Sequence, residues 1–390
     1  MQPRRLAAIG LALVLIVGVG YGIVSSVGSQ IGGQTVALHG LIGSEKAPFF
    51  ADPRVIKALA RGGFVVTVQT AGSRQIASLD LTNEAFVFPA GVPAAEKIQR
   101  EHAGTAKVVP FYTPMAIATW KPIVALLKQQ GVIKQETDYL GFDMAKFMQL
   151  AASDTHWKDL PNNTTYSINK SILVTTTDVR KSNSAANFLA IASYVVNGDN
   201  VVQNDASAAS IADRVSPLFL RQGFVASSSE EPFDDYLVQG MGKSPLVMIY
   251  ESQCIARAAA NDGSITPDMV LVYPEPTIFS KHTFVSLTPD GARLGQFLAT
   301  DTEIRSLATE FGFRTGDNAQ FNSFVTAHNL SVPANLIDVI EPPTYETLEA
   351  MITRLESLYD GTASPLPATP NSPTIPGPTL TTSTSPSSSP

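Results

Sequence analysis

The stretch from Ser171 to Asn197, SILVTTTDVRKSNSAANFLAIASYVVN, sets the terms on which this chain can fold. It reads as a buried strand, Ile172–Thr176, then a polar turn carrying Arg180 and Lys181, then a helix. Ser182, Asn183 and Ser184 stand where the helix leaves its first amides unpaired and where its dipole is positive. Taken alone, Ser182 or Ser184 is an N-cap, its oxygen closing an orphan amide. The same grammar recurs twice. In GFVVTVQTAGSRQI, Gly63 to Ile76, an apolar β-branched run gives way to the small turn Ala71-Gly72-Ser73 and then a helix. In VALHGLIGS, Val36 to Ser44, a short strand ends in Gly43-Ser44 ahead of another helical segment. Backbone N–H and hydroxyl groups at such corners can surround a small oxyanion without a bulky cation.

The rest of the chain alternates in the same way. Strands are expected at Val36–Gly40, Phe64–Gln69, Ala85–Pro89, Lys107–Tyr112, Met115–Thr119, Ile172–Thr176, Pro245–Tyr250, Met269–Tyr273 and Thr283–Leu287. Helices are expected between them, among them Pro93–Ala103, Ser184–Val196, Ala206–Arg221, Pro232–Met241, Ser252–Asn261, Asp301–Glu310 and Pro343–Tyr359. This alternation predicts an α/β fold with parallel or mixed sheets covered by helices, and ligands at the carboxyl ends of strands. No internal repeat is visible. Phe111-Tyr112-Thr113-Pro114 and Tyr273-Pro274-Glu275-Pro276 are the candidate hinges. Trp120 and Trp157 are expected in the core.

At 390 residues and 44% hydrophobic content the chain can build a large core, expected as two lobes. A net charge of −7 and a pI near 5.3 argue against a nucleic-acid surface. The single Cys254 excludes an intramolecular disulfide and reads as a buried thiol. Five scattered histidines, His39, His102, His156, His282 and His328, offer no metal-ligand spacing, so neither metal nor cofactor is expected. No G-x-S-x-G, H-E-x-x-H or P-loop is present, so the reading is not enzymatic.

The two ends differ from the middle. Arg4 and Arg5 precede the uncharged apolar run Leu6–Val24, close to the length that spans a bilayer. Residues 1–30 therefore read as a signal anchor or signal peptide, with the remainder outside the membrane. That places the protein at the extracytoplasmic face of a bacterial membrane, or in the medium after cleavage. Residues 361–390 are mostly Pro, Ser and Thr and are expected to form a disordered tail. The acidic block Ser227 to Gly242, SSSEEPFDDYLVQGMG, reads as acidic residues favoured at a helix start, or as a lip against a cationic part of a solute.

With these residues in view, the chain resembles type II periplasmic-type solute-binding proteins, and within them the molybdate/tungstate-binding branch. VTVQTAGSRQIAS is similar to that branch's first-lobe turn, EAFVFPAGVPAAEKI to its next strand and helix, and ARLGQFLATDTEIRSLATEFGFRT to its C-terminal helix pair. The likeness runs from about Gln34 to Tyr359. It implies two lobes, residues 31–113 with 280–360 and residues 114–279, each a mixed sheet flanked by helices. It implies a monomer that binds a small ligand between the lobes for an ABC permease. An extracytoplasmic sensor or interaction module on the same scaffold is the alternative. Carried over position by position, the ligand contacts are Ser44, Ser73, the amides from Ser182 through Asn183 and Ser184 to Ala185, and the Tyr250 hydroxyl that closes P-L-x-x-x-Y. The chain departs from the family's D-P-x-x-S-P-S-G turn: TTDVRKSNSAAN has no Pro or Gly and adds Arg180, a further candidate contact, beside Lys181. Glu251, next to Tyr250, would repel an anion if it pointed inward.

Overall fold

A computed structural model describes residues 35–102, 105–223, 225–336 and 338–364. The expected membrane segment and nearly all of the Pro/Ser/Thr tail lie outside the described residues. Among the described residues no helix is long and apolar enough to cross a membrane.

Among the described residues ten strands form the framework: β1 Val36–Ile42, β2 Phe64–Thr70, β3 Phe86–Phe88, β4 Ala106–Trp120, β5 Ile133–Gln135, β6 Leu140–Asp143, β7 Leu246–Tyr250, β8 Met269–Glu275, β9 Thr277–Ser286 and β10 Val339–Ile340. They run in the order β2-β1-β3-β9-β4-β8-β6-β5, with β7 also on β4 and β10 on β9. β1 is parallel to β2 and β3, and β9 is antiparallel to β3 and β4. β4 changes partners along its length. Ala106 to Pro114 pairs with β9, whereas Met115 to Trp120 pairs with β7 and β8. The sheet thus has two halves joined through β4 and the β8–β9 pair, and helices cover each half.

The two short strands expected over 107–119 are one strand. Its prolines sit where pairing is already interrupted. Pro110 lies within a register shift between Val108 and Phe111, and Pro114 lies where the partner changes from β9 to β7. A residue with no N–H is tolerated at such places.

Each half has its own core. Around β1, β3 and β9 an aromatic cluster gathers Phe49, Phe86, Phe88, Phe111, Phe284 and Phe313. Phe111 stacks on Phe313 at 4.4 Å, and Phe86 on Phe284 at 4.8 Å. In the other half Ile117, Leu127, Phe142, Phe147, Phe188 and Ile191 form the larger core, with Trp157 buried among them. Cys254 packs beside Val247 and Tyr236, and burial pushes its thiol up to about 12.

Three expectations are corrected. Ile172–Thr176 is extended and buried on alternate residues, yet it is not a ladder strand. It touches β7 at one bridge, Thr175 to Val247, and the Thr176 amide is taken by the Gln222 side chain instead. The helix expected over 206–221 breaks into Asp205–Val215 and Pro217–Leu220, because Pro217 cannot continue the first. The last helix, Tyr345–Tyr359, was expected with the first lobe. Its apolar face, Leu348, Met351, Ile352 and Leu355, is buried in the core of the second half, and Arg354 bonds Asp213 there at 2.7 Å.

Candidate functional site

A cavity lies between the two halves. From the first it is lined by Gly43, Ser44, Glu45, Ala71, Gly72 and Ser73. From the second it is lined by Ser182, Asn183, Ser227, Ser228, Ser229 and Tyr250. Ser44, Ser73, Ser182, Asn183 and Tyr250, expected from four separate stretches of sequence, therefore meet here. The space is small, about 20 Å³, room for about one water-sized group with the two halves as they stand.

Local chemistry explains each position. Ser44 follows the end of β1 and begins a 3-10 turn, and its Oγ lies 3.0 Å from Ser228 Oγ across the cleft. Ser73 begins the short helix Ser73–Ile76 after Gly72, and its Oγ accepts the Ala90 amide at 2.8 Å. A hydroxyl that accepts in this way keeps its own hydrogen to give. Asn183 donates through Nδ2 to Tyr250 Oη at 3.2 Å, Ala90 O at 3.3 Å and Ser280 Oγ at 3.3 Å, so it ties both halves together beneath the cavity. Burial raises the Tyr250 phenol well above its ordinary value, so it remains an O–H donor at neutral pH. Three lining residues are also N-caps of longer helices: Ser182 of Asn183–Val196, Ser229 of Glu230–Gln239 and Tyr250 of Glu251–Ala260. The positive ends of three helix dipoles converge on one small, hydroxyl-rich space.

Two expected residues are not among the lining side chains. Ser184, expected through its amide, has its side chain fully buried, the Oγ lying 2.9 Å from Thr177 Oγ1 and 3.0 Å from Ser182 Oγ, so the hydroxyl braces the turn. Arg180 turns back on its own segment. Its Nε and Nη2 donate to Asp178 at 2.8 Å each, and the guanidinium lies 5.3 Å from the Tyr359 ring. Glu251 does not point inward either. It is fully buried in an ion pair with Arg314, with Tyr273 Oη donating to it at 2.8 Å.

The sequence reading missed Glu45 and the Ser227-Ser228-Ser229 run. The serines were visible, but the acidic residues that follow drew attention to charge; three hydroxyls directly before a helix were the available signal. Glu45 lines the cavity as half of a buried pair. Lys46 is fully buried beside it, and His282 Nδ1 lies 3.1 Å from Lys46 Nζ and 3.3 Å from Glu45 Oε1. Burial alone would raise the Glu45 carboxyl, but Lys46 and His282 outweigh it and hold it down at about 2. Burial, reinforced by Lys46, pushes His282 down to about 4. Glu45 and Lys46 thus cancel in net charge, and His282 is neutral at pH 7. On the rim, burial raises Glu230 to about 7, with Glu45 adding to the rise and the Gln253 hydrogen bond opposing it.

No protein-family model and no curated protein sequence matches the chain. Solved structures do. The chain is similar over 85% of its length, and 96% of the other, to an ABC-transporter solute-binding protein from Thermotoga lettingae TMO bound with α-D-tagatose, at 11% identity and TM-score 0.54. It also aligns with the sulfate-binding protein SubI from Mycobacterium tuberculosis H37Rv, at 15% identity and TM-score 0.47, over 85% and 100% of the two chains. Alignment with the periplasmic molybdate-binding protein of Azotobacter vinelandii gives 11% identity and TM-score 0.42, over 71% and 98%. With its mixed sheets and flanking helices, the chain has the fold of type II periplasmic-binding proteins.

Proposed function

We propose that this protein captures a small oxyanion in the cavity between its lobes and presents it to an ABC-type importer. In this reading residues 31–113 and 280–342 form one lobe, and 114–279 with the last helix form the other. The apolar segment Leu6–Val24 holds the protein at the outer face of the membrane. The observation that carries the reading is the convergence of Ser44, Ser73, Ser182, Asn183 and Tyr250 on one small cavity, with three helix N-termini around it. Hydroxyl and amide donors around a small space suit a compact anion, because hydrogen bonds to charged groups contribute about 1.5–3 kcal/mol each. The Glu45–Lys46 pair adds no net charge, and Arg180 is spent on Asp178, so recognition rests on neutral donors.

A thermal-shift panel on the full-length protein tests this. It covers sulfate, molybdate, tungstate, phosphate, small carboxylates and monosaccharides. A ligand at a hundred times its Kd adds about 2.7 kcal/mol to the folded state. One or more tetrahedral oxyanions should raise the melting temperature while the sugars do not. A response to sugars alone, or to nothing, removes the oxyanion reading.

A further inference from the structure

Ser73 and Ser182 come from opposite sides of the cleft, and a side chain next to Ser73 joins the two. Arg74 is 9% exposed. Its Nη1 donates to the Val179 carbonyl at 2.6 Å, in the turn that delivers Ser182 and Asn183. Its Nε donates to Glu349 Oε1 at 3.0 Å, and Nη2 reaches the same oxygen. Glu349 lies on Tyr345–Tyr359, the helix whose apolar face is buried in the second half. Both partners of Arg74 therefore belong to the far side of the cavity, while Arg74 itself follows Ser73 on the same short helix.

We propose that Arg74 is a positioning residue for the cavity: it draws Ser73 onto Ser182 and Asn183 by bonding the Val179 carbonyl and the last helix together. The proposal rests on the cavity being the ligand site. The guanidinium fork is what allows this, since one edge takes a carboxylate while the remaining nitrogen takes a carbonyl. Backbone packing at the same seam requires the close fit. A Cβ on Gly72 would meet Lys181 O, and one on Gly91 would meet Asn183 Oδ1, each closer than 3.0 Å. Other polar contacts between the first half and the last helix are weaker substitutes. Arg100 and Glu346 are each more than half exposed, so their pair counts for little. Lys97 only overlies the Tyr345 ring at 5.6 Å.

The test compares wild type with Arg74→Gln, Arg74→Lys and Glu349→Gln as full-length chains. It has two readouts: amide hydrogen exchange of residues 181–185, and the dissociation rate of sulfate. Losing a charge-assisted bond to the carbonyl should speed exchange at 181–185 on the order of tenfold or more. Sulfate should leave correspondingly faster from Arg74→Gln. Arg74→Lys keeps the charge but cannot serve both partners, so it should fall between Arg74→Gln and wild type. Exchange in β1 should stay unchanged, which separates opening of the cleft from general destabilisation. Arg74→Gln with wild-type exchange at 181–185, or with acceleration shared equally by β1, overturns the proposal. If sulfate binds no form of the protein, the exchange data still decide the role of Arg74, while the thermal-shift panel decides the oxyanion reading.

Discussion

Replacing Gly72 by Ala isolates lobe closure from folding. Gly72 has φ −59° and ψ 133°, a conformation alanine adopts without strain, so nothing within its own lobe opposes the change. The added methyl meets Lys181 O, a backbone atom on the far side of the cleft that has no flexible end to swing away. Overpacking of this kind costs about 1–3 kcal/mol, and here the cost falls on the closed arrangement only. Affinity for an oxyanion should therefore drop roughly five- to hundredfold, while the melting temperature of the free protein stays near wild type. Gly291→Ala is the control. Its methyl would meet Ala85 O within the same half of the molecule, so it should lower the melting temperature. Calorimetric titration of sulfate and molybdate, with thermal melts of both variants, reads the two effects separately. Wild-type affinity in Gly72→Ala, or equal loss of melting temperature in the two variants, would show that the cleft does not close on this seam.

Other outcomes follow from the same contacts. Ser73→Ala and Tyr250→Phe should each weaken oxyanion binding by about 1.5–3 kcal/mol in calorimetry, whereas Arg180→Ala should leave affinity unchanged because its guanidinium is held by Asp178 and Tyr359. Acid should destabilise the fold in two steps. His282 has a folded pKa near 4, below its ordinary 6.5, so its contribution is present above about 6.5 and is lost as pH falls toward 4. Glu45, at about 2 against an ordinary 4.5, extends the loss from about 4.5 downward. Urea titrations across pH should show the upper step vanish in His282→Gln, and its persistence there would refute the assignment. Arg314→Ala leaves the fully buried Glu251 without its cation and should cost about 3–5 kcal/mol in chemical denaturation; a loss below 1 kcal/mol would mean that water reaches the carboxylate.

What could be read from the chain was local. Apolar β-branched runs ending in small hydroxyl-bearing turns located Ser44, Ser73, Ser182 and Asn183, because strand, turn and helix start are all encoded within a dozen residues. Tyr250 was implied only by the family resemblance, through the pattern P-L-x-x-x-Y. Arg180 is held by Asp178, two residues away, and spacing alone does not say whether a basic side chain takes that partner or turns to the cleft. Ser184 belongs to the right helix start but faces Thr177, and one step along a helix turns a side chain by about 100°. The amphipathic pattern of Tyr345–Tyr359 says that one face is buried, not against which lobe. Nothing local marks Glu45 and Lys46 as buried, since only the fold brings Phe88 and His282 over them.

The most direct measurement is anomalous diffraction at the tungsten edge from crystals of the full-length protein grown with tungstate. The account predicts one strong peak inside the cavity, within hydrogen-bonding reach of Ser44, Ser73 and Tyr250 through the anion's oxygens. A peak confined to exposed lysines and arginines, or a cavity free of tungsten at saturating tungstate, would contradict it.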